Sequence, residues 1–284
     1  MAATSARTTG TLFIVATPIG NRDDITFRAL ETLKSVDIIL AEDTRHTSHL
    51  LTSFGIKKPL QSMHAHNEND KSIEIIQQLL LGRSFALVSD AGTPIISDPG
   101  FPLVNLAKKN NINVVPIPGA CAFISALSAS GIPCDELSFF GFLPAKHSAR
   151  YAKLSSLKNI NHTLIFYEST HRIMDFIKDA SDIFGSTCQM VLAKELTKTY
   201  ERIIAGTILE IENWLKADAG HIKGEFVVII PPREISEAPN NIKEVLEVLL
   251  GELPLKQAVK LACVLTKSAK NDVYQLALNM QGRV

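Results

Sequence analysis

Short apolar runs alternate with amphipathic segments from Thr11 to Pro116, and this alternation restricts the fold more than any other feature of the chain. TLFIVAT, DIILAE and FALVS predict buried strands, with a fourth strand at 113–116. The intervening segments predict helices, among them ITFRALETLKSV, whose shared apolar face consists of Phe27, Leu30, Leu33 and Val36. Further helices are predicted at 46–54, 72–81 and 101–110. Strands separated by helices form βαβ units, so we expect a mostly parallel sheet that binds ligands at the carboxyl ends of its strands.

The second half of the chain predicts another α/β unit followed by a helical appendage. A helix is expected at Ala122–Ser130, and strands at LSFFGFL, TLIFYE, QMVLAKEL and EFVVIIP. The segment PPREISEAPNN interrupts this pattern and predicts the end of the domain. Beyond it only helical periodicity remains. The expected organisation is a mobile tail at 1–10, α/β domains at 11–119 and 120–232, a linker at 233–240 and a helical appendage at 241–284.

The charge balance limits how the chain would hold a nucleic acid. Lys plus Arg and Asp plus Glu are both 29, so local patches would have to bind it in place of a global positive field. One such patch lies between positions 137 and 167, where acidic residues are absent and the basic ones are Lys146, Arg150, Lys153 and Lys158. Another lies after position 251, with an excess of three positive charges. Both patterns are also typical of ordinary solvated helix faces.

Cysteine usage and hydropathy predict the class of protein. Cys121, Cys134, Cys188 and Cys263 show no CxxC spacing, which predicts buried reduced thiols and a cytoplasmic protein. The start MAATSARTTG lacks the apolar run of a signal peptide, and no run of about 18 apolar residues predicts a membrane span. Hydrophobic residues make up 46% of the chain, which indicates a globular protein with a substantial core.

The loop SDAGTPIISDPG, which follows FALVS, is the most informative motif. Gly92 permits a tight turn or the close approach of a ligand. Asp98 and Pro99 predict the cap and first position of the next helix, whose free N–H groups favour an anion. The loop is longer and more acidic than a connection requires, which favours a ligand site over a purely structural turn. ATPIGNRDD and AEDTR follow two other strands and are expected at the same cleft, although Asp43 and Arg45 are equally typical of an exposed ion pair.

Several common catalytic motifs are absent. Without GxxxxGK[ST], GxGxxG, GxSxG or HExxH, the sequence argues against P-loop phosphoryl transfer, hydride transfer and serine hydrolysis. His64 and His66 are more typical of exposed loop residues than of half a metal site, so no metal is expected. YESTHR and AKELTKTYE place carboxylates beside cations, a pattern that fits proton transfer, substrate positioning or simple ion pairs.

Together these motifs resemble those of the tetrapyrrole methylase superfamily, in its branch of small-subunit rRNA methyltransferases. VATPIGN, AEDTR, SDAGTPIISDPG, PGACAFISALSASG, FFGFLPAK, YESTHR, KELTKTYE and GEFVVII occur in this order between Leu12 and about Pro232. The resemblance implies two α/β domains with S-adenosylmethionine in the cleft between them, and a homodimer. It also implies methyl transfer to the ribose 2′-hydroxyl of a cytidine in the decoding region of 16S rRNA, either free or in the small ribosomal subunit.

The resemblance further implies individual cofactor contacts. Carried onto this sequence, they are Asp90, Gly92, Thr93, Ile96, Cys121, Ala122, Tyr167, Leu196, Gly224 and Phe226. Two residues depart from the expected pattern, because Thr93 stands where the superfamily often has aspartate and Thr170 where proline is expected. The helical appendage resembles the C-terminal extension of the branch, which implies contact with RNA.

The implied reaction calls for a positioned hydroxyl and a proton acceptor. A ribose hydroxyl is weakly acidic, so we assign a general base or orienting role to a cleft acid, in the order Asp43, Glu195, Glu168. The residues assigned to RNA and the flipped nucleotide are Asn21, Arg45, Lys146, Arg150, Arg172 and Lys198. The alternatives are a corrinoid or porphyrin-precursor methyltransferase of the same superfamily and a non-catalytic RNA-binding module. The basic patch and the appended helices argue against the small tetrapyrrole substrate.

Overall fold

The computed structural model describes residues 9–233, 242–266 and 268–280. The chain forms two compact units, one extending to Pro232 without Asn159–Asn161 and one formed by those three residues and the chain from Arg233 onward. Positions 1–8 of the expected tail and 234–240 of the expected linker lie outside the described residues. Gly10 is buried, and its N–H donates to the carbonyl oxygen of Leu79 at 2.8 Å.

The first unit contains a parallel five-stranded sheet, which confirms the predicted α/β fold class. Its strand order is β3-β2-β4-β1-β5, and every neighbouring pair is parallel. The strands are β1 Thr11–Val15, β2 Ile38–Ala41, β3 Leu60–Ser62, β4 Phe85–Val88 and β5 Asn113–Ile117. Strands β2 and β4 are buried at every position, because helices cover both faces of such a sheet.

The helices of this half are α1 Phe27–Ser35, α2 Thr44–Ser53, α3 Glu68–Leu80 and α4 Phe101–Lys109. The predicted apolar face of α1 is wrong at Phe27, which is 89% exposed. Helical side chains lean toward the N-terminus, so the ring of this first residue extends past the helix end. Helix α4 begins at Phe101, as the predicted helix at 101–110 does, but the predicted cap is wrong, because Gly100, with φ +127°, precedes the first residue in place of Asp98.

A second, mixed sheet follows in the same unit, with strand order β6-β7-β10-β8-β9. Only the β6–β7 pair is parallel among these strands. The strands are β6 Leu137–Phe142, β7 Thr163–Ser169, β8 Gln189–Lys194, β9 Arg202–Thr207 and β10 Glu225–Ile230. The helices are α5 Ala122–Ser128, α6 His147–Ser156, α7 Ile173–Phe184 and α8 Ile208–Ala217. The expectation of buried thiols is wrong, because Cys134, shortly before β6, is exposed and Cys121, Cys188 and Cys263 are only half-buried.

The described residues of the second unit form three helices, in agreement with the helical periodicity of the sequence. They are α9 Ile242–Glu252, α10 Leu255–Thr266 and α11 Lys270–Met280. Their small core is formed by Leu246, Val259, Ala262, Val273 and Ala277. Within the described ranges, none of the helices of either unit is long and apolar enough to cross a membrane.

Candidate functional site

A cavity of about 300 Å³ lies inside the first unit, between the carboxyl ends of the parallel sheet and one face of the mixed sheet. Loops after β1, β2, β4 and β5 line one side, and residues of β6, β7, β8 and β10 line the other. The residues predicted for cofactor contact that line it are Asp90, Gly92, Thr93, Ile96, Cys121, Ala122, Tyr167, Leu196 and Phe226. Gly224, the remaining one, lies outside the lining. The structure therefore brings these separated motifs together, while their cofactor roles stay predictions.

The loop after β4 is shaped by close backbone contacts. Thr17 and Gly92 exchange two backbone hydrogen bonds of 2.9 and 3.0 Å. Gly92 has φ +80°, and a Cβ there would lie 3.3 Å from Ile19 Cγ2, so this position suits only glycine. The Thr93 hydroxyl donates to the Ala120 carbonyl at 3.0 Å, which links the loop to the chain after β5. Ile95 and Ser97 also have positive φ, and such strain is held only where the surroundings fix it.

Three carboxyl groups gather on the parallel-sheet side of the cavity: Glu42, Asp90 and Asp98. Burial, then the carboxylates of Glu42 and Asp90, raise the pKa of Asp98 to about 7, although a hydrogen bond with Ser89 opposes this. Burial and Asp90 likewise raise the pKa of Glu42. Sequence reasoning treated Asp98 only as a helix cap, yet its place at the end of SDAGTPIISD already put it beyond a strand terminus. Among the described residues, no group of three or more His, Cys, Asp or Glu side chains is arranged so that it could hold a metal ion.

Asp43 and Arg45 lie beside the cavity but not in its lining. The Asp43 carboxylate caps α2 by accepting from the Arg45 N–H at 2.8 Å, and it pairs with the Arg45 guanidinium at 3.2 Å. This hydrogen bond with the guanidinium holds the pKa of Asp43 below its ordinary value. The Asp43 N–H donates to Asp90 Oδ1 at 3.0 Å. Asp43 is therefore built as a helix cap that supports Asp90, and it is a weak candidate for a proton acceptor.

Glu168 is the predicted catalytic acid that does line the cavity. Its side chain is fully buried and pairs with Arg172 at 3.3 Å, and burial raises the pKa of Glu168 despite that cation. The Arg172 guanidinium also donates to the carbonyl oxygen of Leu143, while its Nε has no hydrogen-bond partner among the described residues. The neighbouring Tyr167 hydroxyl accepts from the Phe123 N–H at 3.2 Å, and burial raises the pKa of this phenol.

Glu195 and Lys198 form an ion pair next to the cavity. Lys198 Nζ lies 2.9 Å from Glu195 and 2.8 Å from Glu225, so its charge is already neutralised by the protein. Although partial burial opposes it, hydrogen bonds from Lys198 and the Glu225 N–H hold the pKa of Glu195 below its ordinary value. Glu195 contacts Gly224, where a Cβ would lie 2.5 Å from the Glu195 Cγ. Gly224 thus leaves room for this pair rather than forming the cavity wall.

The two departures from the expected motifs both have structural partners. Thr93 holds the Ala120 carbonyl as described above. The Thr170 hydroxyl donates to the Gly224 carbonyl at 2.9 Å and accepts from the Gly224 N–H at 2.7 Å. Proline would restrict the backbone but lacks this hydroxyl. Thr170 instead forms a clamp of two hydrogen bonds between the end of β7 and the start of β10.

The predicted RNA contacts fall into different environments. Arg150 is only 2% exposed, and its Nε lies 2.7 Å from Asp179, which is 1% exposed. This guanidinium is not available to RNA phosphates, so the structure gives Arg150 a role in the core in place of the predicted one. Lys146, one turn earlier, is exposed. Charge alone does not show which basic residues of a helix lie on the surface, since Arg150 of α6 points into the core while Lys146 is exposed.

Asn21 lies where the loop after β1 meets the loop after β8. The Asn21 N–H donates to the Thr197 hydroxyl at 2.9 Å, so this donor is already used within the protein. A Cβ on the preceding Gly20 would lie 2.5 Å from Lys198 Cγ and 2.7 Å from Thr197 Oγ1. Thr197 and Glu195 both have positive φ, so this contact holds a strained loop in place.

The cavity fits the chemistry of S-adenosylmethionine. That molecule carries a sulfonium and an ammonium group, and the carboxyl groups of Glu42, Asp90 and Asp98 suit positive charge. Ile19 and Leu196 supply apolar wall, which suits the adenosyl portion. The cavity volume lies at the lower end of the usual range for small-molecule sites, and Gly92 allows the backbone to approach a ligand closely.

Comparisons with known proteins agree with this geometry. The profile of the Tetrapyrrole (Corrin/Porphyrin) Methylases matches residues 11–212, and that of the RsmI C-terminal HTH domain matches residues 236–281. The chain is 49% identical to Ribosomal RNA small subunit methyltransferase I of Haemophilus influenzae, covering 95% of this chain and 97% of the relative. It is 47% identical to the protein of the same name in Pseudomonas aeruginosa, covering 96% and 99%.

A solved structure extends the likeness to the fold. Uroporphyrin-III-C-methyltransferase from Thermus thermophilus superposes with a TM-score of 0.56 at 16% identity, covering 78% of this chain and 94% of that one. At this identity the likeness concerns the fold alone. The profiles and the near-full-length relatives together show that the chain is a methyltransferase belonging to the tetrapyrrole methylase family, in the group of ribosomal RNA small subunit methyltransferase I.

Proposed function

We propose that this chain transfers a methyl group from S-adenosylmethionine to the ribose 2′-hydroxyl of a cytidine in the decoding region of 16S rRNA. The observation that carries the proposal is the 49% identity, over nearly the whole chain, to a protein named for methylation of small-subunit rRNA. The match of the C-terminal residues to a helix-turn-helix domain supports it, since a small tetrapyrrole substrate requires no such unit. A cytoplasmic location and a homodimer are parts of the same proposal.

The protein's own residues would position the hydroxyl and take its proton. The cofactor, when bound, supplies an electrophilic methyl group whose sulfonium leaving group needs no acid. Asp98 lines the cavity with a pKa of about 7, which is near the optimum for a general base at neutral pH. Asp43 and Glu195 lie outside the lining, and both have lowered pKa values. We therefore propose that Asp98 accepts the proton of the ribose hydroxyl, with Glu168 as the second candidate.

Binding of the rRNA backbone is assigned to exposed cations. Of the predicted phosphate contacts, Lys146 and Arg45 are exposed, so their charges can reach RNA phosphates. Lys198 and Arg172 already pair with carboxylates of the protein itself, so we propose that they hold the loops that shape the site. Phosphate contacts of this kind fix the position of RNA without reading its sequence.

The proposal is tested by following labelled methyl from S-adenosylmethionine into 30S subunits, free 16S rRNA and uroporphyrinogen III. We expect incorporation into rRNA, mapped by primer extension to the decoding region. Asp98→Asn should lower kcat by about 10²- to 10⁴-fold, while Asp182→Asn, on the exposed surface of α7, should match the wild type. Incorporation into the tetrapyrrole alone would support the other substrate class, and S-adenosylhomocysteine that gives no heat of binding would support a non-catalytic RNA-binding module.

A further inference from the structure

An irregularity in β6 decides which side chain enters the cavity. Phe139 pairs with Ile165 of β7, but Phe142 pairs with Tyr167, so β6 contains one residue more than β7 over this stretch. In a regular pair Gly141 would lie opposite Tyr167. The extra residue is a β-bulge, and it returns Phe142 to the face shared by Phe139 and Tyr167.

Glycine makes this bulge possible. Gly141 has φ +59°, and a Cβ there would lie 2.6 Å from the hydroxyl oxygen of Ser97 in the loop after β4. A side chain at this position would therefore strain the backbone and displace the loop that carries Asp98. The chain just after Phe142 is also held, because Arg172 donates to the Leu143 carbonyl. The backbone around Phe142 is thus fixed from both sides.

The ring of Phe142 is accessible to solvent although its backbone is fixed. It lines the cavity and is 53% exposed, and its edge-to-face contact with Tyr167 has a centroid separation of 5.6 Å. Phe139, on the same face, is stacked on Phe123 at 4.4 Å and has its partner within the core. A preorganised aromatic ring left half exposed at a ligand cavity offers a flat surface for another π system.

We propose that Phe142, at the exposed rim of the cavity, is the platform on which the base of the acceptor nucleotide stacks when that nucleotide leaves the RNA stack. This inference rests on the proposed function, because it takes the acceptor to be a ribonucleotide. Sequence-specific recognition of RNA targets bases that have left their stack, and aromatic side chains of the protein stack on such bases. Phe142 then acts as a positioning residue, which places the ribose hydroxyl near Asp98 across the Ser97–Gly141 contact.

The test compares Phe142→Leu and Phe142→Tyr with wild type and with Phe27→Leu, a control at an exposed phenylalanine of α1 that does not line the cavity. Leucine keeps an apolar side chain and removes the ring, whereas tyrosine keeps the ring. We expect Phe142→Leu to lower kcat/KM for 30S subunits roughly 5- to 150-fold. Phe142→Tyr and the control should stay near the wild-type value, and the Kd for S-adenosylhomocysteine should be unchanged in all four proteins.

Three outcomes would overturn the inference in distinguishable ways. Equal kcat/KM for wild type and Phe142→Leu shows that the ring does not bind the base. A parallel loss of S-adenosylhomocysteine binding shows that the ring contacts the cofactor instead. Absence of transfer from the wild type to 30S subunits and free rRNA, with S-adenosylhomocysteine still bound, refutes the proposed function and with it the nucleotide as occupant. A thermal unfolding curve for each variant confirms that losses do not come from unfolding.

Discussion

The ion pair between Arg150 and Asp179 provides a sharp test of how the basic segment of α6 is used. Arg150 Nε lies 2.7 Å from Asp179 Oδ2, and both side chains are at least 98% buried. The guanidinium also donates to the Ala145 carbonyl at 3.3 Å, while Asp179 Oδ1 lies 3.1 Å from His147 Nε2. Arg150→Ala would leave the Asp179 carboxylate buried, with the exposed imidazole of His147 as its one other partner among the described residues.

The expected cost follows from this burial. Removing one partner of a buried ion pair destabilises a protein by about 3–5 kcal/mol, because the remaining charge is left uncompensated. For a folding unit of this size, 1 kcal/mol corresponds to about 2–4 °C in Tm. We therefore expect Arg150→Ala to lower Tm by roughly 6–20 °C. The double variant Arg150→Met with Asp179→Leu should recover much of this loss, since apolar side chains of similar volume replace the whole pair.

The assay is thermal unfolding followed by circular dichroism, together with filter binding to 16S rRNA at a temperature where the variants remain folded. Lys146→Ala is the matched control, since Lys146 is exposed on the same helix. It should change the free energy of unfolding by less than about 0.5 kcal/mol and weaken RNA binding. An Arg150→Ala protein with wild-type Tm and weakened RNA binding would refute the assignment and restore Arg150 as a phosphate contact.

Other substitutions probe the site from different sides. Between about pH 4 and 7 the folded state still holds a proton on Asp98 that the unfolded chain has already released. The stability of the wild type should therefore fall as the pH rises through that window. Asp98→Asn should then have the higher Tm at pH 8 and lose this advantage near pH 4, and an equal difference at both pH values would contradict the argument. Gly20→Ala, whose Cβ would lie 2.5 Å from Lys198 Cγ, should cost about 1–3 kcal/mol in urea unfolding, whereas Gly251→Ala meets nothing within 4 Å and should not destabilise. Thr170→Val removes both hydrogen bonds to Gly224 and should cost about 1–3 kcal/mol, with Thr170→Ser close to wild type; equal stability of the two variants would argue against the clamp.

The sequence predicts the elements of the first sheet well because buried strands and amphipathic helices leave strong periodic signals. It fails where a short element carries little pattern, as in β9, most of whose residues are exposed or half-buried. It also fails at the cap of α4, where Ile95, Ser97 and Gly100 take positive φ and Gly100 precedes the helix in place of Asp98. Such backbone conformations depend on tertiary contacts that periodicity does not encode.

Nine of the cofactor contacts predicted from the motifs line the cavity, but the separate roles of the site residues depend on packing. Asp43, Glu195 and Glu168 are all acidic residues in motifs, and the sequence does not distinguish their roles. In the structure one caps a helix, one pairs with Lys198 and one is buried beside Arg172. Asp98 acquires its raised pKa from burial and from Glu42, which is distant in sequence. The role of Phe142 depends on a one-residue bulge, for which Gly141 in FFGF is the available sequence signal.

The central claim concerns the atom that receives the methyl group, and one measurement tests it directly. The 16S rRNA is isolated after reaction of 30S subunits with labelled S-adenosylmethionine, digested to nucleosides and separated by liquid chromatography with mass spectrometry. We predict that the label resides in 2′-O-methylcytidine, with the mass increase on the ribose fragment. Label on the base fragment, or in a nucleoside other than cytidine, would contradict it.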